Sequence, residues 1–224
     1  MKKLSMIAVC SLSVLVLSSC SFAMKGKVTD IVTGQPISKV TVSIDLGADK
    51  KPREATTNDQ GSYRIKKDNA DQLITYAADG YESFTLTSKS DKSRDVYLVP
   101  TAEETARRIV QAMLDKDYDT AYTYLHPFDQ GFFTRDQFRE IQTDFASYLS
   151  LVKEFRIAET KDLERFQDSI LQKTFTGTKA VTAVLVLENG DIKQENAWEI
   201  NLMKMTDANN KEFWHWIFNR TSNT

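Results

Sequence analysis

The spacing of apolar residues changes near Pro100, and this change constrains the fold more than any other feature of the sequence. Before Pro100, short segments in which apolar and polar residues alternate are separated by turn residues. After it, apolar residues recur first at helical spacing and then along longer alternating segments. Thr101 is placed to cap a helix, with Glu104 reaching back as the other half of a capping box. We therefore predict two domains, residues 24–99 and residues 100–224.

The first region is predicted to fold as an all-β sandwich. Apolar and polar residues alternate at residues 25–31, 40–44, 63–65, 73–77, 81–86 and 96–99. Glycine, asparagine, aspartate and proline separate these segments. About seven short strands with turns roughly every 8–12 residues are typical of two packed antiparallel sheets.

Three motifs of this region resemble the carboxypeptidase regulatory-like domain, which has a transthyretin-like sandwich fold. They are residues 26–37, 57–63 and 78–81, in the order that the family shows. Gly34 and Gly61 permit the positive φ that such turns need. The resemblance implies a structural or adhesive accessory module, since the zinc site of metallocarboxypeptidases lies in a different domain.

No metal site and no cofactor are expected. Residues 24–99 contain no histidine. The acids of their loops are typical of solvated turns, with calcium binding as the alternative; these acids are Asp45, Asp49, Asp59 and Asp79. Residues 115–119 imitate the start of an EF-hand, but Thr120 and His126 occupy the positions at which that loop requires glycine and glutamate.

The second region is predicted to be an α+β domain. Apolar residues recur at helical spacing over residues 106–125, with a break near residues 116–117, and again over 138–149, after a second capping box at Thr134 and Gln137. Alternating segments follow at residues 153–158, 180–187, 198–205 and 214–218. Helices followed by a meander of long antiparallel strands indicate an α+β plan.

Residues 112–127 resemble the first-helix signature of uncharacterised lipoprotein members of the nuclear transport factor 2-like superfamily. The resemblance implies a cone-shaped, cystatin-like α+β fold, in which a curved sheet wraps a long helix and leaves a pocket at its mouth. Some members of that superfamily are dehydratases or isomerases that place an aspartate and a histidine inside the cone.

The two histidines are not expected to be catalytic. His126 precedes Pro127 at a helix end, where a cation suits the helix dipole. His215 lies opposite Trp214 and Trp216 on its strand, and the tryptophan face is expected to be the core side. The sequence has no nucleophile elbow, P-loop, dinucleotide fingerprint or His–Glu metal motif. We therefore expect no enzyme; a cone-fold hydrolase, dehydratase or isomerase for a small apolar substrate is the alternative.

Five aromatic residues are the candidate ligand-binding residues: Tyr122, Phe138, Trp198, Trp214 and Trp216. Inside a cone they would converge. Two interpretations remain open at this point. The five side chains form part of a solid core of large residues, or they line an apolar pocket for a lipid, glycan or peptide.

The N-terminus has the features of a bacterial lipoprotein signal. Lys2 and Lys3 precede an apolar stretch over residues 4–17, which is shorter than the roughly 20 residues that span a bilayer. Residues 17–20, Leu-Ser-Ser-Cys, resemble the lipobox. This resemblance implies cleavage just before Cys20 and acylation of its thiol; a secreted protein with one unpaired thiol is the alternative.

The expected organisation is a signal peptide over residues 1–19, a lipidated tether over 20–23, and then the domains 24–99 and 100–224. Among lipoproteins of enteric bacteria, Ser21 after the cysteine implies sorting to the outer membrane, facing the periplasm. The formal net charge is −2 and no basic run occurs, so nucleic acid is a poor partner. We expect a non-enzymatic lipoprotein of the cell envelope that binds or scaffolds an envelope protein, peptide, glycan or lipid.

Overall fold

The computed structural model describes residues 22–68, 71–88, 92–168 and 172–218. The signal peptide and Cys20 lie outside this part of the chain. Buried apolar side chains form two clusters, one drawn from residues 24–98 and the other from residues 102–218. Val32 and Val99 pack against the second cluster, so the division into two folding units at residue 99 stays a prediction.

The first cluster lies between two sheets. The strands are β1 (Phe22–Asp30), β2 (Thr41–Ile44), β3 (Arg53–Thr56), β4 (Ser62–Lys67), β5 (Gln72–Ala77), β6 (Phe84–Ser88) and β7 (Val96–Leu98). One sheet has the order β4-β1-β7 and the other β3-β2-β5-β6. Only the β1–β7 pair is parallel. The β-sandwich prediction is therefore confirmed for this region.

The turn at Gly61 sets the beginning of β4. Gly61 has φ +68°, and a Cβ atom there would lie 2.4 Å from the carbonyl oxygen of Val28. Only glycine meets both requirements without strain. Strand β3 was not among the predicted segments, because it is a short edge strand in which Ala55 is the only apolar residue.

The second cluster lies between a sheet and three of four helices. The helices are α1 (Ala102–Leu114), α2 (Tyr118–Thr123), α3 (Pro127–Phe132) and α4 (Arg135–Leu149); the three are α1, α2 and α4. The strands are β8 (Val152–Leu163), β9 (Phe166–Asp168), β10 (Lys173–Phe175), β11 (Thr178–Asn189), β12 (Ile192–Thr206) and β13 (Glu212–Ile217). Strands β8, β11, β12 and β13 form an antiparallel meander, and β9 and β10 form a separate ribbon. Helices packed on an antiparallel sheet are the predicted α+β plan.

Helices α1 and α4 begin at the predicted caps, but only the cap of α4 is a complete capping box. At the start of α4, the Thr134 side chain accepts a hydrogen bond from the Gln137 N–H, and the Gln137 side chain accepts one from the Thr134 N–H. Thr101 accepts a hydrogen bond from the Glu104 N–H, but the Glu104 carboxylate does not reach back. The Thr101 N–H already donates to the carbonyl of Gly80 at 2.9 Å, and the carboxylate pairs with Arg108.

Strand β13 is buried on both faces, which corrects the expectation that only its tryptophan face belongs to the core. Trp214 and Trp216 are buried on one face, and His215 and Phe213 on the other. The segment before Pro127 runs beside this strand. There the Trp216 N–H donates to the Tyr124 carbonyl, and the His126 N–H donates to the Trp216 carbonyl.

Candidate functional site

An apolar cavity of about 230 Å³ opens between α1, α4 and the meander sheet. Its lining includes Met113 from α1, Phe145, Tyr148 and Leu149 from α4, and Leu185, Trp198 and Trp216 from the sheet. Among the described residues that line it, none carries a formal charge. The cavity therefore suits an apolar group.

Aromatic contacts hold the inner wall of the cavity in place. The rings of Trp198 and Trp216 lie 6.0 Å apart at 69°, and those of Trp216 and Phe218 lie 5.1 Å apart at 87°. Edge-to-face pairs of this kind add roughly 0.5–1.5 kcal/mol each beyond their buried area. The wall is thus a connected set of rings that keeps its shape.

One polar side chain lies in this apolar lining. Gln142 follows Phe138 by four residues and precedes Leu149 by seven, so helical spacing places it on the buried stripe of α4. It is 2% exposed. Within the described part of the chain, its Nε2 meets no hydrogen-bond acceptor. A buried donor left in this state costs about 1–3 kcal/mol.

The rim of the cavity is more exposed than its wall. Phe145 and Tyr148 are 48% and 38% exposed. The Tyr148 hydroxyl accepts a hydrogen bond of 2.9 Å from the Asn196 side-chain amide on β12. This bond joins α4 to the sheet beside the opening, so the cavity has a defined mouth.

Two of the five predicted ligand-binding residues line the cavity, Trp198 and Trp216. Phe138 is fully buried behind them, with its ring 6.3 Å from that of Trp216. Tyr122 packs on Phe138 at 5.8 Å and donates a hydrogen bond to the Phe133 carbonyl. The structure therefore brings four of the five together, but two of these four belong to the core that supports the wall.

Trp214 is directed elsewhere. Its indole Nε1 donates to Glu82 Oε1 at 2.9 Å, and Glu82 belongs to the first region of the chain. The same carboxylate accepts a hydrogen bond of 2.6 Å from Lys204. Trp214 thus contributes to the contact between the two regions and not to the cavity.

His126 has a structural role that differs from the expected one. It caps the beginning of α3, where its Nδ1 accepts a hydrogen bond of 3.1 Å from the Phe128 N–H. The expectation of a favourable cation here is wrong, because a helix N-terminus disfavours positive charge.

His215 is 2% exposed and lies against the Phe213 ring, with centroids 4.0 Å apart. Its Nδ1 lies 3.3 Å from the Leu125 carbonyl oxygen. Burial lowers the pKa of His215 below its ordinary value, although the Leu125 carbonyl and the Asp207 carboxylate act in the opposite sense. Neither histidine is among the described residues that line the cavity.

Acidic residues do not gather into a metal site in the described part of the chain. Asp117 instead caps α2, accepting hydrogen bonds from both the backbone and the hydroxyl of Thr120. Asp119 pairs with Arg139 through both carboxylate oxygens. Asp117 and Asp119 thus serve as a helix cap and an ion-pair partner in this structure.

A polar cluster joins the two regions of the chain. Arg108 on α1 donates to Asp30 at the end of β1, to the Tyr81 hydroxyl and to Glu104. The Asp30 side chain is 3% exposed. Burial alone would raise the pKa of Asp30, but the Thr33 N–H, the Arg108 guanidinium and the Tyr81 hydroxyl lower it by more, so the pKa lies below its ordinary value. Burial and the Asp30 carboxylate raise the pKa of Tyr81 to about 12.

A wider cleft of about 760 Å³ lies beside this cluster. Asp30, Tyr81 and Arg108 line its floor, and these groups are hydrogen-bonded to one another. Because its buried charges already satisfy each other, the cleft is a weaker candidate for a ligand site than the smaller apolar cavity.

The comparisons with known proteins identify the first region. Residues 23–105 match the carboxypeptidase regulatory-like domain, so this part of the chain is such a domain, as its turn motifs predict. No protein of curated function matches the chain significantly. Of the helices in the described residues, none is long and apolar enough to span a bilayer.

Three solved structures show weaker similarity. A SEC-C motif-containing protein from Psychrobacter arcticus is 12% identical, with a TM-score of 0.39 and coverage of 55% of this chain and 63% of that one. A protein of unknown function from Bacteroides fragilis, described as membrane-associated, is 15% identical (TM-score 0.25, coverage 75% and 60%). A 9R-lipoxygenase from Cyanothece is 8% identical (TM-score 0.26, coverage 80% and 39%). The chain spans less than two thirds of each of these proteins.

Proposed function

We propose that this protein is a non-enzymatic binding module of the bacterial cell envelope, held at a membrane by a lipid on Cys20. The observation that carries the binding function is the apolar cavity between α4 and the sheet, with its aromatic wall and exposed rim. The lipid anchor rests on the lipobox resemblance of residues 17–20. The outer membrane, facing the periplasm, is the proposed location.

The chemistry of the cavity supports binding over catalysis. General acid–base or nucleophilic chemistry needs a titratable or nucleophilic group at the reacting atoms. The described lining offers no carboxylate, imidazole, amine, guanidinium or thiol. Its one phenol, Tyr148, lies at the rim and accepts a hydrogen bond from Asn196. His126 is committed to a helix cap and His215 to the Leu125 carbonyl.

The carboxypeptidase regulatory-like domain serves as a spacer in this proposal. Strand β1 begins at Phe22, two residues after the lipidated Cys20, and ends at Asp30, which contacts α1. Its nine residues at about 3.3 Å each extend roughly 30 Å. In this proposal the second region therefore lies at the end of the sandwich that is opposite the tether.

We also propose that the second region is a nuclear transport factor 2-like cone. Two features support this: the order of helices before an antiparallel meander, and a cavity bounded by α1, α4 and that meander. A pocket at the mouth of the cone is what the resemblance at residues 112–127 implies.

Binding can be tested with toluene, a neutral apolar ring. The chain from residue 20 onward with Cys20→Ser keeps every residue that the structure describes and lacks the lipid. Saturation-transfer NMR should detect toluene bound to it, and Phe145→Glu should weaken binding at least about tenfold, because it places a charge at the mouth. Phe132→Glu is the matched control, since Phe132 is 63% exposed and lies outside the lining. Toluene that fails to bind, or that binds both variants equally, contradicts the proposal.

The anchor needs its own measurement. Intact mass spectrometry of the membrane-extracted protein should show a chain that begins at Cys20 and carries acyl groups. An unmodified thiol at Cys20, or a chain that retains residues 1–19, would contradict the lipoprotein assignment while leaving the cavity in place.

A further inference from the structure

We infer that the cavity takes a neutral ligand that combines a planar ring with a hydrogen-bond acceptor, and that Gln142 is its specificity residue. This inference rests on the proposed binding function and names the chemical class of the ligand. The acceptor receives a hydrogen bond from Gln142 Nε2, and the ring lies against Trp198 and Trp216.

The case for an acceptor comes from the Gln142 amide. It lies on a helix face that otherwise carries Phe138 and Leu149 toward the core. A leucine would fill the same position without burying a polar group. Nε2 has no acceptor within the described structure. Gln142 lines the cavity, and rotation about the last torsion of its side chain, which is broad, turns the amide toward a ligand there. An oxygen acceptor on a ligand would satisfy this donor, and a pure hydrocarbon would leave it unsatisfied.

The size and walls of the cavity favour a ring. Its volume of about 230 Å³ exceeds the ~150 Å³ of an engineered cavity that binds benzene and falls below the ~300 Å³ at which drug-sized sites begin. The space suits one ring with a small substituent. Trp198 and Trp216, inclined at 69° to each other, offer both an edge and a face to such a ring.

The described lining carries no formal charge, which favours a neutral ligand. An ionised carboxylate, phosphate or ammonium that entered would lose its hydration without gaining a counter-ion. The group that enters is therefore neutral, and any charged part of a larger ligand stays outside the rim formed by Phe145 and Tyr148. A ketone, ester, amide or ether attached to a ring meets these conditions.

The test compares acetophenone with α-methylstyrene, which has the same shape but carries C=CH₂ in place of C=O. α-Methylstyrene leaves water more readily than acetophenone, so the two Kd values for one protein do not isolate the hydrogen bond. The informative quantity is the ratio of the two Kd values, compared between the wild type and each variant. Gln142→Leu should shift that ratio against acetophenone by about fivefold, which is about 1 kcal/mol. Gln142→Met, which also lacks a donor, should give the same shift and serves if the leucine variant does not fold.

A control variant and a third ligand complete the design. Phe145→Leu should weaken both ligands and leave their ratio unchanged. A ratio that Gln142→Leu and Gln142→Met leave unchanged overturns the role of Gln142. Tighter binding of methyl hexanoate than of acetophenone overturns the assignment of a ring. In both cases toluene binding, and with it the proposed function, would stand; failure of every ligand to bind would instead remove the proposed function itself.

Discussion

Arg108 Nη1 donates a hydrogen bond of 2.6 Å to Asp30 Oδ2, across 78 residues of sequence. Asp30 ends the first strand of the carboxypeptidase regulatory-like domain, and Arg108 lies in the first helix of the second region. The pair is largely shielded from solvent. Together with the Glu82 contacts to Lys204 and Trp214, it links the sandwich to the region that holds the cavity.

Asp30→Asn should lower the free energy of unfolding by about 3 kcal/mol, because it leaves the Arg108 guanidinium facing an amide instead of a carboxylate. Chemical denaturation of the unlipidated mature chain measures the change. Asp49→Asn is the matched control: Asp49 is an exposed loop residue of the same domain, so its replacement should have little effect. Equal effects of the two variants would show that the Asp30–Arg108 pair does not stabilise the fold.

The Asp30 carboxylate should also make stability depend on acid pH. Its pKa is lower in the folded chain than the ordinary value of about 3.9. Its stabilisation is therefore fully present above about pH 4 and is lost as pH falls through the folded-state pKa. Denaturation midpoints measured from pH 5 down to pH 2 should fall less steeply for Asp30→Asn than for the wild type. Parallel curves would contradict this assignment.

His215 should add a second pH dependence, at higher pH. Burial lowers its pKa, so the unfolded chain binds a proton more readily than the folded one below the ordinary value of about 6.5. The stabilisation is present above that pH and declines as pH falls toward the lower folded-state pKa. His215→Gln should flatten the stability curve between pH 7 and pH 5. An unchanged slope would show that the imidazole titrates alike in both states.

Replacement of Trp214 and of Trp198 should have different effects on stability and binding, although both residues lie in the same sheet. Trp214→Phe removes the donor to Glu82 and should cost about 1 kcal/mol of stability with toluene binding intact. Trp198→Ala removes a wall of the cavity and should abolish detectable toluene binding. The two effects are measured by denaturation and by saturation-transfer NMR. Loss of toluene binding in a folded Trp214→Phe protein would place Trp214 in the site after all.

Local sequence signals were sufficient for most of the fold. The turn at residues 188–191 predicts the hairpin between β11 and β12, and the turn at residues 208–211 predicts the next one; Gly190 and Asn210 adopt φ of +59° and +60° there. The Thr134–Gln137 capping box predicts the start of α4. These features depend on residues close in the chain, so propensity and spacing determine them.

Contacts between distant residues could not be predicted in the same way. No local pattern links Asp30 to Arg108 or Glu82 to Trp214, since each pair depends on how the two regions pack. Trp214 shares a strand face with Trp216, but two residues along a strand displace a side chain by roughly 7 Å, enough to move it from the cavity to the domain contact.

The sequence does contain a signal for Gln142. It interrupts the apolar stripe of α4 between Phe138 and Phe145, and a polar residue at a core position indicates either a buried partner or a site. The role of His126 was harder to predict. Helix α3 has six residues. A segment of this length is too short to show a helical period, so the sequence does not show whether His126 begins a helix or ends one.

The most direct test of the cavity as a ligand site is a crystal structure of the unlipidated mature chain soaked with acetophenone. The phenyl ring of acetophenone should lie against Trp198 and Trp216, with its carbonyl oxygen within hydrogen-bond distance of Gln142 Nε2. A cavity closed by the side chain of Trp198 or Phe145 in every copy, with Gln142 hydrogen-bonded to the protein itself, would contradict it.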